Sequence, residues 1–464
     1  MSAMWSARSG SVTRLVERVG PFALASLLAA VLVVVAAQGM LFAYVAIGLA
    51  AFAAVLAVLG TERTGMLMLI GAFFTAPMYK GLAPVGSPIT PTDLLFVAGF
   101  GLLFPQLLVR RMQLPLMYYA GVTIVFLTGL VASAASQKPG ESFMSLGFWM
   151  IVMVGLPVAI GLWGPSARMV DVLALTFIGG QMFSLAYGVA RGEQAGGRYA
   201  GLSTHPNYLA QAGLLAMALL LYLFHRHLRD IKWLLVLIPS AVVVAASIWL
   251  SGSRAATVVA AVLILMIPIV ERSAVMGFLL AAFVVLTILL LPLIVDMAGE
   301  GSSIARLAGD KQSEYSNQAR SLGLQEGIDR FFAHPLRGDG IVDLYYIHNN
   351  FLEVALSIGV FGLAGYLMVL FVFARPLFGD SEFRRLGYPV WAYIGFGATV
   401  PSLYDRSIWA VVALSVVALT VPGSRRSRAD DDVGLDASLD EAATPSERAP
   451  ARQPALATNP GDHR

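Results

Sequence analysis

The chain contains no cysteine and few charged residues, and both shortages restrict what it can be. Without cysteine it has no disulfide bond, no thiolate metal ligand and no cysteine nucleophile. Charged residues make up only 13% of the 464 positions, hydrophobic residues make up 58%, and the mean hydropathy is +0.75. A soluble core cannot bury so much apolar surface, and a net charge of +3 is too small to indicate nucleic acid as a partner. The composition predicts a polytopic membrane protein.

Apolar runs long enough to cross a bilayer as helices follow one another along most of the sequence. We expect twelve to fourteen spans, because the short runs near the two ends can merge in pairs or re-enter the membrane from one side. The predicted fold is therefore an all-α, polytopic bundle of transmembrane helices. The predicted spans lie near residues 21–37, 41–59, 65–79, 92–109, 115–136, 142–163, 168–190, 207–224, 232–250, 254–270, 274–296, 349–373, 388–401 and 404–421.

The sequence divides into three parts. Residues 1–20 form an N-terminal segment, residues 21–423 form the transmembrane domain with one long outer loop at 297–347, and residues 424–464 form a polar tail. The tail has too few large apolar residues to offset the entropy of ordering, so we expect it to be disordered.

Basic residues set the predicted orientation, because lysine and arginine in short loops stay on the cytoplasmic side. If the spans are counted as above, Arg110, Arg226, Arg272 and Arg384 all fall on one side. Both termini are then cytoplasmic, and the localisation is a cytoplasmic membrane crossed many times.

Four arginines break this rule, since Arg191, Arg198, Arg254 and Arg320 fall on the outer side. An arginine within hydrocarbon costs about 2.5 to 3.5 kcal/mol on insertion scales, so something should compensate. Ser253 is a good helix cap, which places Arg254 in the first turn of a helix where an anion would satisfy both the guanidinium and the helix dipole. The alternative is an arginine that snorkels to the interface.

In the outer loop, the mixture of apolar and charged residues predicts a short surface helix around residues 319–332. A turn follows at "HPLRGDG", where Gly338 and Gly340 permit the backbone geometry. His348 follows where the chain re-enters the membrane. Asn349 is at the helix start, and small residues at 355, 359, 362 and 365 recur at helical spacing, which favours close packing with a neighbouring span.

A neutral imidazole at this position could accept a proton, although a histidine at a membrane boundary can equally be a hydrogen-bonded structural residue. His334 in the loop is a second, less rigidly held candidate base. In "HPNYLAQAG", His205 and Asn207 either line a substrate cavity or simply start a helix, and Asn349 is a further candidate for lining that cavity.

Four stretches together resemble the O-antigen ligase and O-antigen polymerase superfamily of bacterial membrane glycosyltransferases. They are "RYAGLSTHPNYLAQAG", "LSGSRAA", "ARSLGLQEGIDRFFAHPLRGDGI" and "HNNFLEVALSIGVFGLAGY", in the family's order, across residues 190–370. The resemblance implies a GT-C-like, metal-independent, inverting transferase without a cofactor.

By this resemblance the donor is an undecaprenyl-diphosphate-linked glycan at the outer face of the bacterial cytoplasmic membrane. The acceptor is the hydroxyl of a glycan, a lipid or a protein. Arg254 and Arg320, with Arg191 or Arg198, would bind the diphosphate, and His348 would be the catalytic base. A protein O-oligosaccharyltransferase and a non-catalytic flippase for lipid-linked glycans are the alternatives. The near absence of charge inside the spans favours an enzyme over a transporter.

Overall fold

The computed structural model describes residues 40–83, 89–194, 196–297, 302–307, 311–342 and 347–420. Within these ranges the chain forms helices, short 3-10 turns and loops, and no β-strand. The predicted N-terminal segment 1–20, the predicted span 21–37, the tail 424–464 and parts of the outer loop lie outside them. In chain order the helices are α1 Met40–Thr75, α2 Tyr79–Leu82, α3 Pro91–Val109, α4 Leu116–Ala134, α5 Pro139–Met150, α6 Leu156–Trp163, α7 Ala167–Arg191, α8 Pro206–His227, α9 Ile231–Leu250, α10 Arg254–Glu271, α11 Ala274–Met297, α12 Ser303–Leu307, α13 Lys311–Ala333, α14 Asn350–Ala374, α15 Tyr388–Gly397, α16 Arg406–Ala413 and α17 Val416–Thr420.

Within the described ranges, ten helices are long and apolar enough to span a membrane. They cover the predicted spans from 41–59 to 349–373, which confirms an all-helical, multi-pass architecture. In place of the short predicted spans 388–401 and 404–421, which could also re-enter the membrane from one side, the structure has three short helices, α15, α16 and α17. Pro401 lies in the loop that separates α15 from α16, and its ring cannot continue a helix.

Two predicted spans, 41–59 and 65–79, meet inside α1 at a sharp break. Gly60 adopts φ 76° and ψ 174°, a positive-φ conformation that favours glycine. The hydroxyl of Thr64 donates to the carbonyl of Val55 at 3.5 Å. In a straight helix these residues would lie about 13 Å apart along the axis. The chain therefore folds back at Gly60.

Helix α8 is the centre of the bundle, since 72% of its most apolar stretch is buried inside the protein. It contacts α7, α9 and α15. By contrast, none of the apolar stretch of α11 is buried, so that helix presents its side chains to lipid. The contrast follows from sequence, because α8 carries polar residues such as Asn207 and Gln211 in its first half, where α11 is almost entirely apolar.

One end of the bundle, here called the ionic end, gathers basic residues of the predicted inner loops. Arg226 pairs with buried Asp171 at 3.1 Å. Arg384 pairs with Glu271 at 3.0 Å, and Arg385 is hydrogen-bonded to the same carboxylate. These contacts agree with a common side for the basic loops.

The opposite end, here called the site end, contains the re-entry of the outer loop into the bundle. Helix α14 is broken at Gly359, with φ 75° and ψ 178°. Asp339 and Gly340 donate their amide groups to the carbonyls of Leu356 and Ser357 at 2.8 and 2.9 Å. These bonds satisfy carbonyls that the break leaves without helical partners. The "HPLRGDG" turn is thus inserted into the bundle, with the expected positive φ at Gly338 and Gly340.

The predicted run of small residues along α14 is correct in part. The prediction that Gly359 packs within a continuous helix was wrong, because the helix breaks at this residue. Gly365 does allow a close approach. A Cβ there would lie 2.8 Å from the carbonyl oxygen of Gly121 on α4, and a Cβ on Gly121 would lie 2.7 Å from that of Gly365.

The outer-loop helix is confirmed as α13, and it is longer than predicted. One side packs on the start of α14, where Phe331 joins a small apolar cluster with Ile347, Leu352 and Leu356. Gly327 permits the contact, since a Cβ there would lie 3.0 Å from Leu352. Packing on α14 therefore positions α13 above the site end.

Candidate functional site

Arg198 connects the loop after α7 to two other elements of the site end. Its Nε donates to the carbonyl of Ser251 at 2.7 Å, and its terminal nitrogen donates to the amide oxygen of Asn207 at 2.8 Å. Tyr199 adds a backbone hydrogen bond to Leu250 at 3.0 Å. These bonds hold a glycine-rich loop in place and bring Arg198 next to the starts of α8 and α10.

Arg254 is the first residue of α10, as predicted. Ser253 is the N-cap, its hydroxyl accepting from the amide of Ala256 at 3.5 Å. The guanidinium of Arg254 donates to the amide oxygen of Asn317 on α13 at 2.5 Å. This hydrogen-bond partner is a neutral oxygen, so the contact does not offset the charge that an arginine brings to a helix N-terminus.

Three arginines meet above this helix start. Arg306 on α12 donates to the carbonyl of Gly252 at 2.8 Å. Arg320 on α13 is half-buried, and its pKa is lowered by burial and then by the charges of Arg254 and Arg306. Like charges so close are unfavourable by themselves. Arg198 bonds to the carbonyl of Ser251, just before the same helix start. We call Arg198, Arg254, Arg306 and Arg320 together the arginine cluster, and such a group is suited to an anion with several oxygen atoms.

Two histidines face the arginine cluster. His348, immediately before Asn349 and α14, has φ 55°. Its Nδ1 is buried and makes no hydrogen bond to the described part of the chain. Burial and the charge of Arg320 lower the pKa of His348, so that its imidazole is neutral at pH 7.

His205 is the N-cap of α8, where its Nδ1 accepts from the amide of Asn207 at 3.1 Å. The pKa of His205 is lowered by burial, then by Arg198 and His348, and then by Lys80 and Arg320. The structure therefore brings both histidines, Arg198 and Arg320 into one electrostatic neighbourhood, although they are far apart in sequence.

The remaining predicted site residues divide into two groups. In the first group, both residues have structural contacts. Asn207 accepts a hydrogen bond from Arg198, and the side-chain oxygen of Asn349 caps α14 by accepting from the amide groups of Phe351 and Leu352 at 3.0 and 3.1 Å. Arg191 lies apart at the end of α7, exposed, with the hydroxyl of Tyr187 at 3.2 Å. The structure brings Arg198, and not Arg191, into contact with the elements around Arg254.

Sequence reasoning missed Arg306 and Lys80 at this end. Lys80 pairs with Asp405 at 3.5 Å and lies 3.2 Å from the ring centre of Tyr208. A usable signal existed, because Lys80 follows the predicted span 65–79 on the outer side and so breaks the orientation rule in the same way as the four arginines. Arg306 lies in the outer loop, where the rule also applies.

The groups at the site end suit one type of chemistry. Guanidinium groups bind phosphate oxygens in paired hydrogen bonds and stabilise negative charge on a phosphate leaving group. A neutral imidazole beside them can accept a proton from a hydroxyl. In the described ranges no group of three or more histidine or carboxylate side chains could hold a metal ion.

The fold and site together define a multi-pass, all-helical membrane protein with a cluster of arginines at one end. Comparison with protein-family models finds no match to this chain, and comparison with curated proteins finds none either. Its function is therefore inferred from the chemistry of the site end.

Proposed function

We propose that the protein transfers a glycan from an undecaprenyl-diphosphate carrier to an acceptor hydroxyl at the outer face of a bacterial cytoplasmic membrane, as a glycan ligase or polymerase. The observation that carries the proposal is the position of Arg320, which interacts electrostatically with Arg254 and Arg306 and also with His348. A lipid-linked diphosphate offers two adjacent anionic groups at the membrane surface, which matches such a cluster.

In the proposed reaction the acceptor oxygen attacks the anomeric carbon of the donor sugar. The carbon–oxygen bond to the diphosphate breaks, and undecaprenyl diphosphate leaves with the bonding electron pair. His348 takes the proton of the acceptor hydroxyl. Attack opposite the leaving group inverts the anomeric centre, so a product with retained configuration would refute a single displacement.

The arginine cluster makes the larger proposed contribution. A general base contributes about 10²- to 10⁴-fold to a rate, whereas positioning and stabilisation of the leaving group supply the rest. Because the donor already carries a good leaving group, the reaction needs no nucleotide or redox cofactor.

A flippase for the same lipid would also bind diphosphate, and it is the alternative from another class. A flippase needs no base, so the buried Nδ1 of His348 favours a transferase. A protein O-oligosaccharyltransferase would use the same donor site and differ only in the acceptor.

The test is glycan transfer from a lipid-linked donor in proteoliposomes, with wild type, His348→Asn and Arg254→Ala at matched protein levels and with EDTA in a parallel reaction. We expect loss of transfer in both variants and no effect of EDTA. Full activity in both variants would refute the site, and movement of the donor lipid between leaflets without product would favour the flippase.

A further inference from the structure

An open cavity of about 580 Å³ lies at the site end, within the usual size range of ligand sites. Its walls come from α2, from α5, from the first turn of α14 and from the loop before α16. The residues that matter for its chemistry are Lys80, Ser145, Phe148, Glu353, Asp405 and Arg406.

The charges along this cavity differ from those of the arginine cluster. Lys80 is paired with Asp405 at 3.5 Å, and Arg406 is paired with Asp93 at 2.9 Å. Glu353 adds a further carboxyl group to the wall. A diphosphate would therefore meet two cations that are already paired with carboxylates, which is less favourable than the arginine cluster.

Glu353 is the unusual group of the cavity. It is only 2% exposed, and its Oε1 makes no hydrogen bond to the described residues. A buried oxygen without a donor is costly, and such atoms mark sites that a ligand completes. A sugar hydroxyl both donates and accepts hydrogen bonds, so it can satisfy this carboxyl group.

The cavity is also close to the proposed base. Glu353 lies one turn into α14, and its amide donates to the carbonyl of Asn349, the residue after His348, at 2.8 Å. Lys80, on another wall of the cavity, is one of the residues that lower the pKa of His205, and His348 is another. A sugar bound at Glu353 would thus lie at the start of α14, the helix that follows His348 in the chain.

We propose that this cavity binds the acceptor as a neutral, hydroxyl-rich sugar, with Glu353 accepting hydrogen bonds from its hydroxyl groups. The proposal rests on the transferase function proposed above and assigns it a second subsite, distinct from the anion site. Phe148 and the other apolar side chains of α5 provide a surface on which a sugar ring can pack.

The first experiment separates the two subsites by kinetics. We expect Glu353→Gln and Ser145→Trp to raise the KM for acceptor about 3- to 10-fold, because the first removes one hydrogen bond of ordinary strength and the second fills part of the cavity. The KM for donor should stay unchanged, and thermal unfolding in detergent verifies that the variants fold. A raised donor KM, or no change in either KM, would overturn the proposal.

The second experiment does not need transfer. Because the natural chain has no cysteine, Ser145→Cys introduces one unique thiol in the cavity, and Ser381→Cys places a matched half-buried thiol at the ionic end. We expect neutral sugars, namely glucose, galactose, mannose or N-acetylglucosamine near their solubility limits, to slow maleimide labelling at Ser145→Cys at least about twofold, as occupancy above one half requires. Labelling at Ser381→Cys should not change, and inorganic pyrophosphate should protect neither thiol.

The outcomes separate this inference from the proposed function. Protection by sugar without any transfer by wild type would support the cavity and refute the transferase. Transfer by wild type, with neither protection nor an effect on acceptor KM, would refute the cavity and leave the transferase standing. Protection by pyrophosphate at Ser145→Cys would show an anion site and overturn the inference.

Discussion

The role proposed for His348 can be tested by removing its imidazole without disturbing its backbone. His348 has φ 55°, a left-handed conformation that glycine adopts at no cost. The variant His348→Gly therefore keeps the start of α14 and leaves space where the ring was. Free imidazole can then be added to occupy that space.

The expected loss follows from the role of a general base. Removing the base should reduce kcat about 10²- to 10⁴-fold, which corresponds to about 2.7 to 5.4 kcal/mol of barrier. Added imidazole should restore part of this loss. Burial and Arg320 lower the pKa of His348, so the wild-type rate should be constant above about pH 6.5, the ordinary histidine value, and fall as pH decreases below it.

The assay is glycan transfer across pH, and His334→Gln is the matched control. His334 is also at the site end, but its Nδ1 is paired with Asp339 at 2.7 Å, so we expect its loss to change the rate less than about twofold. Wild-type activity in His348→Gly would refute the reasoning, as would an equal loss in His334→Gln.

Three further predictions concern the anion site, the broken helix and acid stability. Arg254→Ala should lower kcat/KM for the donor about 10- to 100-fold through loss of charge-assisted hydrogen bonds, whereas Arg191→Ala should stay near wild type; equal losses would refute the choice of cluster. Gly359→Ala should lower the thermal unfolding temperature in detergent, because φ is 75° and the new Cβ would lie 2.1 Å from a carbonyl oxygen, while Gly147→Ala meets open space. The pKa values of His205 and His348 are lowered in the folded protein, so below about pH 6.5 these two side chains bind more protons in the unfolded state than in the folded state. The unfolding temperature should therefore decrease as the pH is lowered, and substituting both histidines by glutamine should flatten this dependence.

The sequence by itself determined that the protein belongs in a membrane and where most of its helices lie. Hydrophobic run length is a local property, and hydrocarbon leaves the backbone no partner except its own helix, so the spans from 92–109 to 274–296 match helices of the structure. Local capping was equally predictable, as Ser253 before Arg254 shows. The orientation rule also identified arginines that face the site end.

Tertiary structure decided the breaks in the helices and the membership of the site. Nothing local separates Gly359, which breaks α14, from Gly365, which packs inside it; the difference arises because Asp339 and Gly340 bond to the carbonyls at the break. Arg198 is distinguished from Arg191 by its contacts with Ser251 and Asn207. Residues such as Lys80 and Glu353 come together only through the packing of helices distant in sequence, because hydrophobic periodicity fixes which residues are helical and carries no information about which helices are neighbours.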